Sequence, residues 1–364
     1  MSTIKRTVAL VLTAMSIIVE AEQDENVLGN PKMPFNKTAI MEMEPWECTI
    51  RLSKHVRPIQ YVLYISSNSE TDSFTGSVEI TIILDSPQSF IKLHSSELKI
   101  TETTLDSNPI TAFCYSKYQF WVVVPDEELS VGIHTLRMKF DGCLSNTMFG
   151  FYRSDYFDEG TYKQHTIVTT QFEPTFARST FPCFDEPEMK SKFQISITRP
   201  SGNNFIALSN MDQECEEPVS PANGLTIARF ANTLPMSTYL VCFIVCDFQA
   251  SEIFKADQGF LIRTFVRRDQ QKNTKYASYV ALKAINYFVE YFGIKYMLPK
   301  LDIIAIPDFE AGAMENWGLI TFRETQLLYD ECTSSSTSKS SVASTVCHEL
   351  AHMWFGDLGR QILN

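Results

Sequence analysis

From about Glu44 to Asp247, apolar and polar residues alternate in short runs rich in β-branched and aromatic side chains. Ile59–Ile65, Phe74–Ile82, Leu136–Phe140 and Phe193–Ile197 are such runs, and Tyr118–Val124 is another, stopped by Pro125. A period of two sets one face of each run in a core and the other in solvent, the pattern of a half-buried strand. Asp141-Gly142, Pro200-Ser201-Gly202 and Asn223-Gly224 read as the turns between them. Tyr239–Val245 is apolar throughout, so it reads as a strand buried on both faces. Cys242 and Cys246 lie in or beside it. At about 13 Å apart on one face they are too distant to bond each other, and both read as core residues. Many short strands with regular turn signals predict an antiparallel β-sandwich over residues 45–250.

After about Ser251 the period lengthens. Tyr279, Leu282, Ile285, Phe288 and Val289 recur at helical spacing across Thr274–Phe292, and Gly293 follows as a C-cap. Leu301–Ile306 reads as a strand stopped by Pro307, and Trp317–Phe322 as a second. The Ser-rich segment 333–341 supplies N-caps for a last helix, about Lys339 to Phe355. The chain is therefore of mixed β and α/β class, with residues 251–364 forming the second region.

The amino terminus reads as a targeting segment. Lys5 and Arg6 precede an uncharged run from Thr7 to Val19, and Val19-Glu20-Ala21 sets small residues at the two key positions of a cleavage site. Residues 1–21 are thus a signal peptide or, uncleaved, a signal anchor; the run is short of the ~20 residues of a comfortable span. No other apolar stretch reaches roughly 18 residues, so a membrane is expected as a partner only through an uncleaved anchor. The expected location is the secretory pathway: the endoplasmic-reticulum lumen, outside the cell, or the non-cytosolic side of a membrane. Residues 22–44 are polar, contain Pro31 and Pro34, and read as a flexible lead-in carrying the glycosylation tripeptide Asn36-Lys37-Thr38.

Charge narrows the function. Thirty-one Lys and Arg stand against 43 Asp and Glu, a net charge of −12. No nucleic-acid partner is expected, since a phosphate backbone calls for a basic face. Acidity suits cationic ligands, including peptide amino termini. The nine Cys are scattered, which excludes a small disulfide scaffold.

The candidate chemistry lies on the last helix. In His348-Glu349-Leu350-Ala351-His352 the two His are one turn apart, so their imidazoles can converge on one metal. Val342, Val346 and Leu350 form an apolar stripe on the opposite side. Glu349 is placed to take a proton from a metal-bound water. Cys347 turns about 100° away from His348 and reads as packing. The alternative is a pair of structural His on an exposed face. Upstream, Gly312-Ala313-Met314-Glu315-Asn316 sits between two strands. Gly lets a ligand backbone approach and pair with a sheet edge, and Glu315 would stand where a cationic amine could bind. Taken alone, the segment also reads as an ordinary hairpin connection.

G-A-M-E-N followed by H-E-x-x-H-x-W-F-G resembles the signature pair of the zinc-dependent alanyl-aminopeptidase family, the gluzincin aminopeptidases. The resemblance is closest to the oxytocinase subfamily, with its endoplasmic-reticulum and insulin-regulated aminopeptidases. Thr170–Thr175, Phe181–Pro187, Met236–Leu240, Ile306–Phe309 and Gly318–Thr321 support it, and it covers about residues 46–358. It implies a β-sandwich followed by the start of a thermolysin-like catalytic domain. It also implies one Zn2+ per complete site, with His348 and His352 as ligands and Glu349 as general base. By the same resemblance Glu173 and Glu315 bind the free α-amine of a peptide substrate. Gly312, Ala313 and Met314 line its backbone, and Gln171 stands at the pocket for the first side chain.

The resemblance places the third zinc ligand, a Glu, 19 positions after His352, at position 371, beyond Asn364. A tyrosine that stabilises the tetrahedral oxyanion also lies further on in relatives, as does a C-terminal helical domain. Two expectations of different class follow. One is a zinc aminopeptidase, inactive as the 364-residue chain alone. The other is a non-catalytic form, at most a peptide-binding or decoy protein.

Overall fold

The computed structural model describes residues 44–359, apart from 159, 203 and 221–223. The expected signal, the lead-in up to residue 43 and the glycosylation tripeptide lie outside the described residues. The fold is rich in strands, as expected. Eight strands form the largest sheet, in the order Gln213–Ser220, Leu225–Phe230, Lys192–Pro200, Val56–Asn68, Ser73–Leu84, Gly132–Cys143, Lys99–Leu105, Asn108–Pro109. A four-stranded sheet (Ile206–Ser209, Phe243–Cys246, Gln164–Gln171, Gly150–Phe157) and a three-stranded one (Ile91–His94, Phe120–Val124, Thr111–Tyr115) accompany it. One core of Phe and Tyr rings joins them: Phe151 meets Phe74 of the large sheet and Phe243 of the small one, at centroid distances of 5.3 and 5.2 Å.

Among the described residues of these three sheets, strand pairing is antiparallel with one exception. Val56–Asn68 runs parallel to Lys192–Pro200, from Gln60↔Lys192 to Ile65↔Ile197. The long excursion between these strands, which contains the three-stranded sheet, removes the hairpin constraint that enforces antiparallel order.

Four local expectations change. Asp141-Gly142 is no turn; it lies inside Gly132–Cys143. Phe74 faces Gly142 and Phe140 faces Gly76 across the same strand pair. A Cβ on Gly142 would lie 2.3 Å from the Phe74 ring, and one on Gly76 2.6 Å from the Phe140 ring. These glycines make room for rings, not for bends. Tyr239–Val245 is only partly a strand: Thr238–Leu240 is a 3₁₀ turn, and extension begins at Phe243. Every residue of the run is buried, and burial alone produced the apolar pattern. Cys242 precedes the strand and Cys246 ends it; both are buried and unpaired. Tyr118 belongs to a 3₁₀ turn, and Trp317 and Gly318 to a loop, so those two strands begin at Phe120 and Leu319.

The second sheet is mixed. Its order is Gln249–Lys255, Leu261–Val266, Lys300–Ile306, Leu319–Arg323, Ala313–Met314, with the two inner pairings parallel and the outer ones antiparallel. Lys300–Ile306 is buried at every position, as a central strand covered on both faces must be. Helix Lys275–Phe292 ends at Gly293 (φ 63°), whose N–H bonds to the Val289 carbonyl. Its buried face is Ala277, Ser278, Val280, Ala281, Ala284, Ile285 and Phe288. Tyr279, expected in that stripe, is exposed, because small residues on the inner face let the helix approach its neighbours closely. The last helix runs Ser336–His352; the Ser335 side chain caps it, accepting from the Ser338 N–H at 3.0 Å. It stops three residues before Phe355. Phe355 (φ −102°, ψ 104°) and Gly356 (φ 109°, ψ −53°) break the helical path within the turn Met353–Leu358.

Candidate active site

Three segments meet at the last helix. Val342, Val346, Cys347 and Leu350 are buried on its inner side, and His348 is exposed on its outer side. The Nε2 atoms of His348 and His352 lie 3.1 Å apart. His352 Nδ1 is 3.0 Å from the Phe355 carbonyl oxygen. A carbonyl only accepts, so Nδ1 carries the proton and His352 Nε2 presents a lone pair. The short Nε2 contact then requires the proton of His348 on its own Nε2. Two nitrogens on one tetrahedral zinc, each ~2.0–2.1 Å from it, would lie about 3.3 Å apart. The pair therefore fits two corners of such a site, and the Phe355 carbonyl supplies the outer hydrogen bond that orients a ligating imidazole. Among the described residues no group of three or more His, Cys, Asp or Glu stands ready to hold a metal.

Carboxylates surround the imidazoles. Glu349 is buried beneath them at 5% exposure. Glu315, equally buried, brings Oε1 within 3.9 Å of His352 Nδ1. It directly follows Ala313–Met314, the short strand at the sheet edge, paired Ala313↔Phe322 and Met314↔Thr321. Gly312 is exposed, Ala313 half-buried, and the Met314 side chain buried, so the segment offers its backbone more than its side chains. Glu173 comes from the first region, two residues past the strand Gln164–Gln171 and next to a cis bond to Pro174. Gln171 is buried at the strand end, with its Oε1 unpartnered among the described residues.

The carboxylates perturb one another. Burial, then the charges of Glu315 and Glu173, push the Glu349 carboxyl well above the usual range. Burial, then Glu315, raises Glu173, while His352 acts in the opposite direction. Burial raises Glu315 as well. A cation between Glu173 and Glu315 would relieve their repulsion, so the arrangement can hold an ammonium group. Burial lowers both imidazoles, favouring the neutral form that ligates.

Structure adds three residues that sequence reasoning did not single out. Asp357 is fully buried, with neither carboxylate oxygen partnered among the described residues. Burial and the charge of Glu315 raise its carboxyl well above the usual range. Burial, then the charges of Glu315, Asp357 and Glu173, raises the Tyr239 phenol. Lys190 reaches the turn after the helix from the other region. Asp357, directly after Trp-Phe-Gly, was the most accessible of the three to inspection.

A strand-rich first region is followed by a mixed sheet and by a helix that carries His-Glu-x-x-His. The chain belongs to peptidase family M1: the Peptidase M1 N-terminal domain matches residues 57–240, and the Peptidase family M1 domain residues 276–359. Human glutamyl aminopeptidase is 42% identical over 328 residues, covering 87% of this chain and 33% of that protein. Human endoplasmic reticulum aminopeptidase 1 is 41% identical over 325 residues, 86% of this chain and 34% of that protein. The glutamyl aminopeptidase of Sus scrofa is 42% identical over 319 residues, 85% and 33% of the respective lengths. The chain thus spans about a third of the length of the curated relatives it matches. No helix among the described residues is long and apolar enough to cross a membrane.

Proposed function

We propose that this chain is part of a zinc metallo-aminopeptidase of the secretory pathway that removes single residues from the N-terminus of peptides. The observation that carries the reading is the convergence of Glu173 and Glu315, from two separate regions, on the His348–His352 pair and Glu349. Zinc held by His348 and His352 would supply a water of lowered pKa and a Lewis acid. Glu349 takes up a proton at its carboxylate and returns it to the leaving amine, a general acid–base contribution of roughly 10²–10⁴. Glu173 and Glu315 grip the α-ammonium, which fixes the cut one residue in and rejects internal bonds. Ala313 and Met314 pair with the extended peptide backbone, and Gly312 leaves room for it. Gln171, neutral beside Glu173, favours apolar or neutral first residues over basic ones. A catalytic zinc takes three protein ligands, so turnover belongs to a protein that supplies one more donor than this pair. The Lys5–Val19 segment and the similarity to endoplasmic reticulum aminopeptidase 1 support the location.

The test is calorimetric titration of the chain with a tripeptide and its N-acetylated form. Acetylation is expected to weaken binding at least tenfold, and Glu173→Gln with Glu315→Gln to abolish the difference. Equal affinity for the two peptides would overturn the reading. A longer protein containing this chain is expected to hydrolyse leucyl amides faster than arginyl ones, with Glu349→Gln losing the activity; a glutamyl substrate tests the preference named for one relative.

A further inference from the structure

The Lys190 ammonium sits at the end of the last helix, 3.1 Å from the Gly356 carbonyl oxygen and 2.7 Å from that of Asp357. A third bond goes to the Gly359 carbonyl. An ammonium has three N–H donors, and these three acceptors use all of them. The first two carbonyls belong to the turn in which Phe355 and Gly356 leave the helical path, and Gly359 directly follows it. Lys190 itself is anchored in the first region, between Met189, whose N–H bonds to the Glu186 carbonyl, and Ser191, which exchanges backbone bonds with Met236. Leaving the helix turns the Phe355 carbonyl back toward His352 Nδ1, at 3.0 Å. On the far side, Trp354 Nε1 donates to the Ile294 carbonyl at 3.1 Å, so the turn is pinned both before and after Phe355.

We propose that Lys190 is a positioning residue for His352: its three bonds hold the turn so that the Phe355 carbonyl accepts the hydrogen bond from Nδ1–H and Nε2 is left bare toward His348. The inference rests on the metallo-aminopeptidase reading for its purpose, but not for its mechanism. A cation at a helix C-terminus is a common stabilising device. Here the bonded carbonyls directly follow the one that sets a tautomer, and the cation comes from the first region. Outer hydrogen bonds of this kind typically alter metal affinity by about 10–100-fold.

The experiment uses the full chain with ¹⁵N-labelled histidine, His352 being assigned by its loss in His352→Gln. In the metal-free protein, His352 is expected as the single Nδ1–H tautomer. Lys190→Met, which keeps the aliphatic stem and removes the donors, is expected to give a tautomer mixture and about 10–100-fold weaker zinc binding by calorimetry. Lys190→Arg, which keeps cationic donors, is expected to retain most of the wild-type tautomer. If Lys190→Met does not fold, Lys190→Gln, which keeps two donors, is read in the same way. Unchanged tautomer and zinc affinity alongside a lower unfolding midpoint would reduce Lys190 to a structural tie and overturn the proposal. If wild type and His348→Ala bind zinc alike, the metal reading fails, and the metal-free tautomer still decides the role of Lys190.

Discussion

Gly318→Ala tests how tightly the Glu315 segment is held. Gly318 follows Glu315 by three residues and has φ +88°. An alanine there carries about 1–2 kcal/mol of left-handed backbone strain. Its Cβ would also lie 2.3 Å from the Asn210 carbonyl oxygen and 2.8 Å from Leu298 Cδ1. The leucine can rotate. Asn210 cannot, because its amide donates to the Leu240 and Trp317 carbonyls at 2.8 and 3.0 Å and accepts from Cys242 N–H at 2.9 Å. Relieving a clash against a fixed backbone costs a further ~1–3 kcal/mol. The sum is about 2–5 kcal/mol, with a shift of the loop toward Glu315. Gly293→Ala is the internal control: φ is +63°, and nothing stands within 4 Å of the added carbon. It should show only the backbone part, about 1–2 kcal/mol. Urea unfolding followed by tryptophan fluorescence measures both, and titration with a free-amine peptide reports the site. If Gly318→Ala loses no more stability than Gly293→Ala and binds the peptide normally, the packing argument is wrong.

Other outcomes follow from the same structure. His94 is buried, and burial with the Arg178, Lys92 and Arg51 cations pushes it down to about 3. The unfolded chain takes up that proton near pH 6.5 and the folded chain does not, so stability falls as pH drops from 6.5 toward 3. By pH 5 the loss through His94 is about 2 kcal/mol, and His94→Gln should remove that part of the pH slope in urea midpoints. Because no third donor joins His348 and His352 among the described residues, zinc should bind the 364-residue polypeptide weakly and leave on brief dialysis against a chelator. One tightly held zinc with chelator-sensitive turnover would refute this. Cys48, Cys114, Cys143, Cys215 and Cys332 are exposed, and Cys183, Cys242, Cys246 and Cys347 buried. A thiol reagent should therefore modify five groups quickly and four only on unfolding, burial having pushed Cys242, Cys246 and Cys347 up to about 12.

Much of this was legible along the chain. Period two marked Ile59–Ile65 and Phe74–Ile82 as strands, and a 3.6 repeat with Gly293 bounded the helix that ends at Phe292. His348, Glu349 and His352 could be placed because i and i+4 share a helix face wherever that helix packs. Where the pattern misled, one signal had two causes. Gly142 reads as a turn residue but admits the Phe74 ring, and Tyr239–Val245 is apolar because it is buried, whether bent or extended.

Local periodicity is set by burial and by backbone geometry, and both are written into neighbouring residues. The sequence by itself therefore determined the elements, the shared face of His348 and His352 on the last helix, and the family resemblance. Only the tertiary structure decided that Glu173 would face Glu315, that the helix would stop at His352, and that Lys190 would reach a turn 167 residues away. Those contacts depend on the order in which strands pair and sheets stack, and that order is chosen by the summed packing of distant faces.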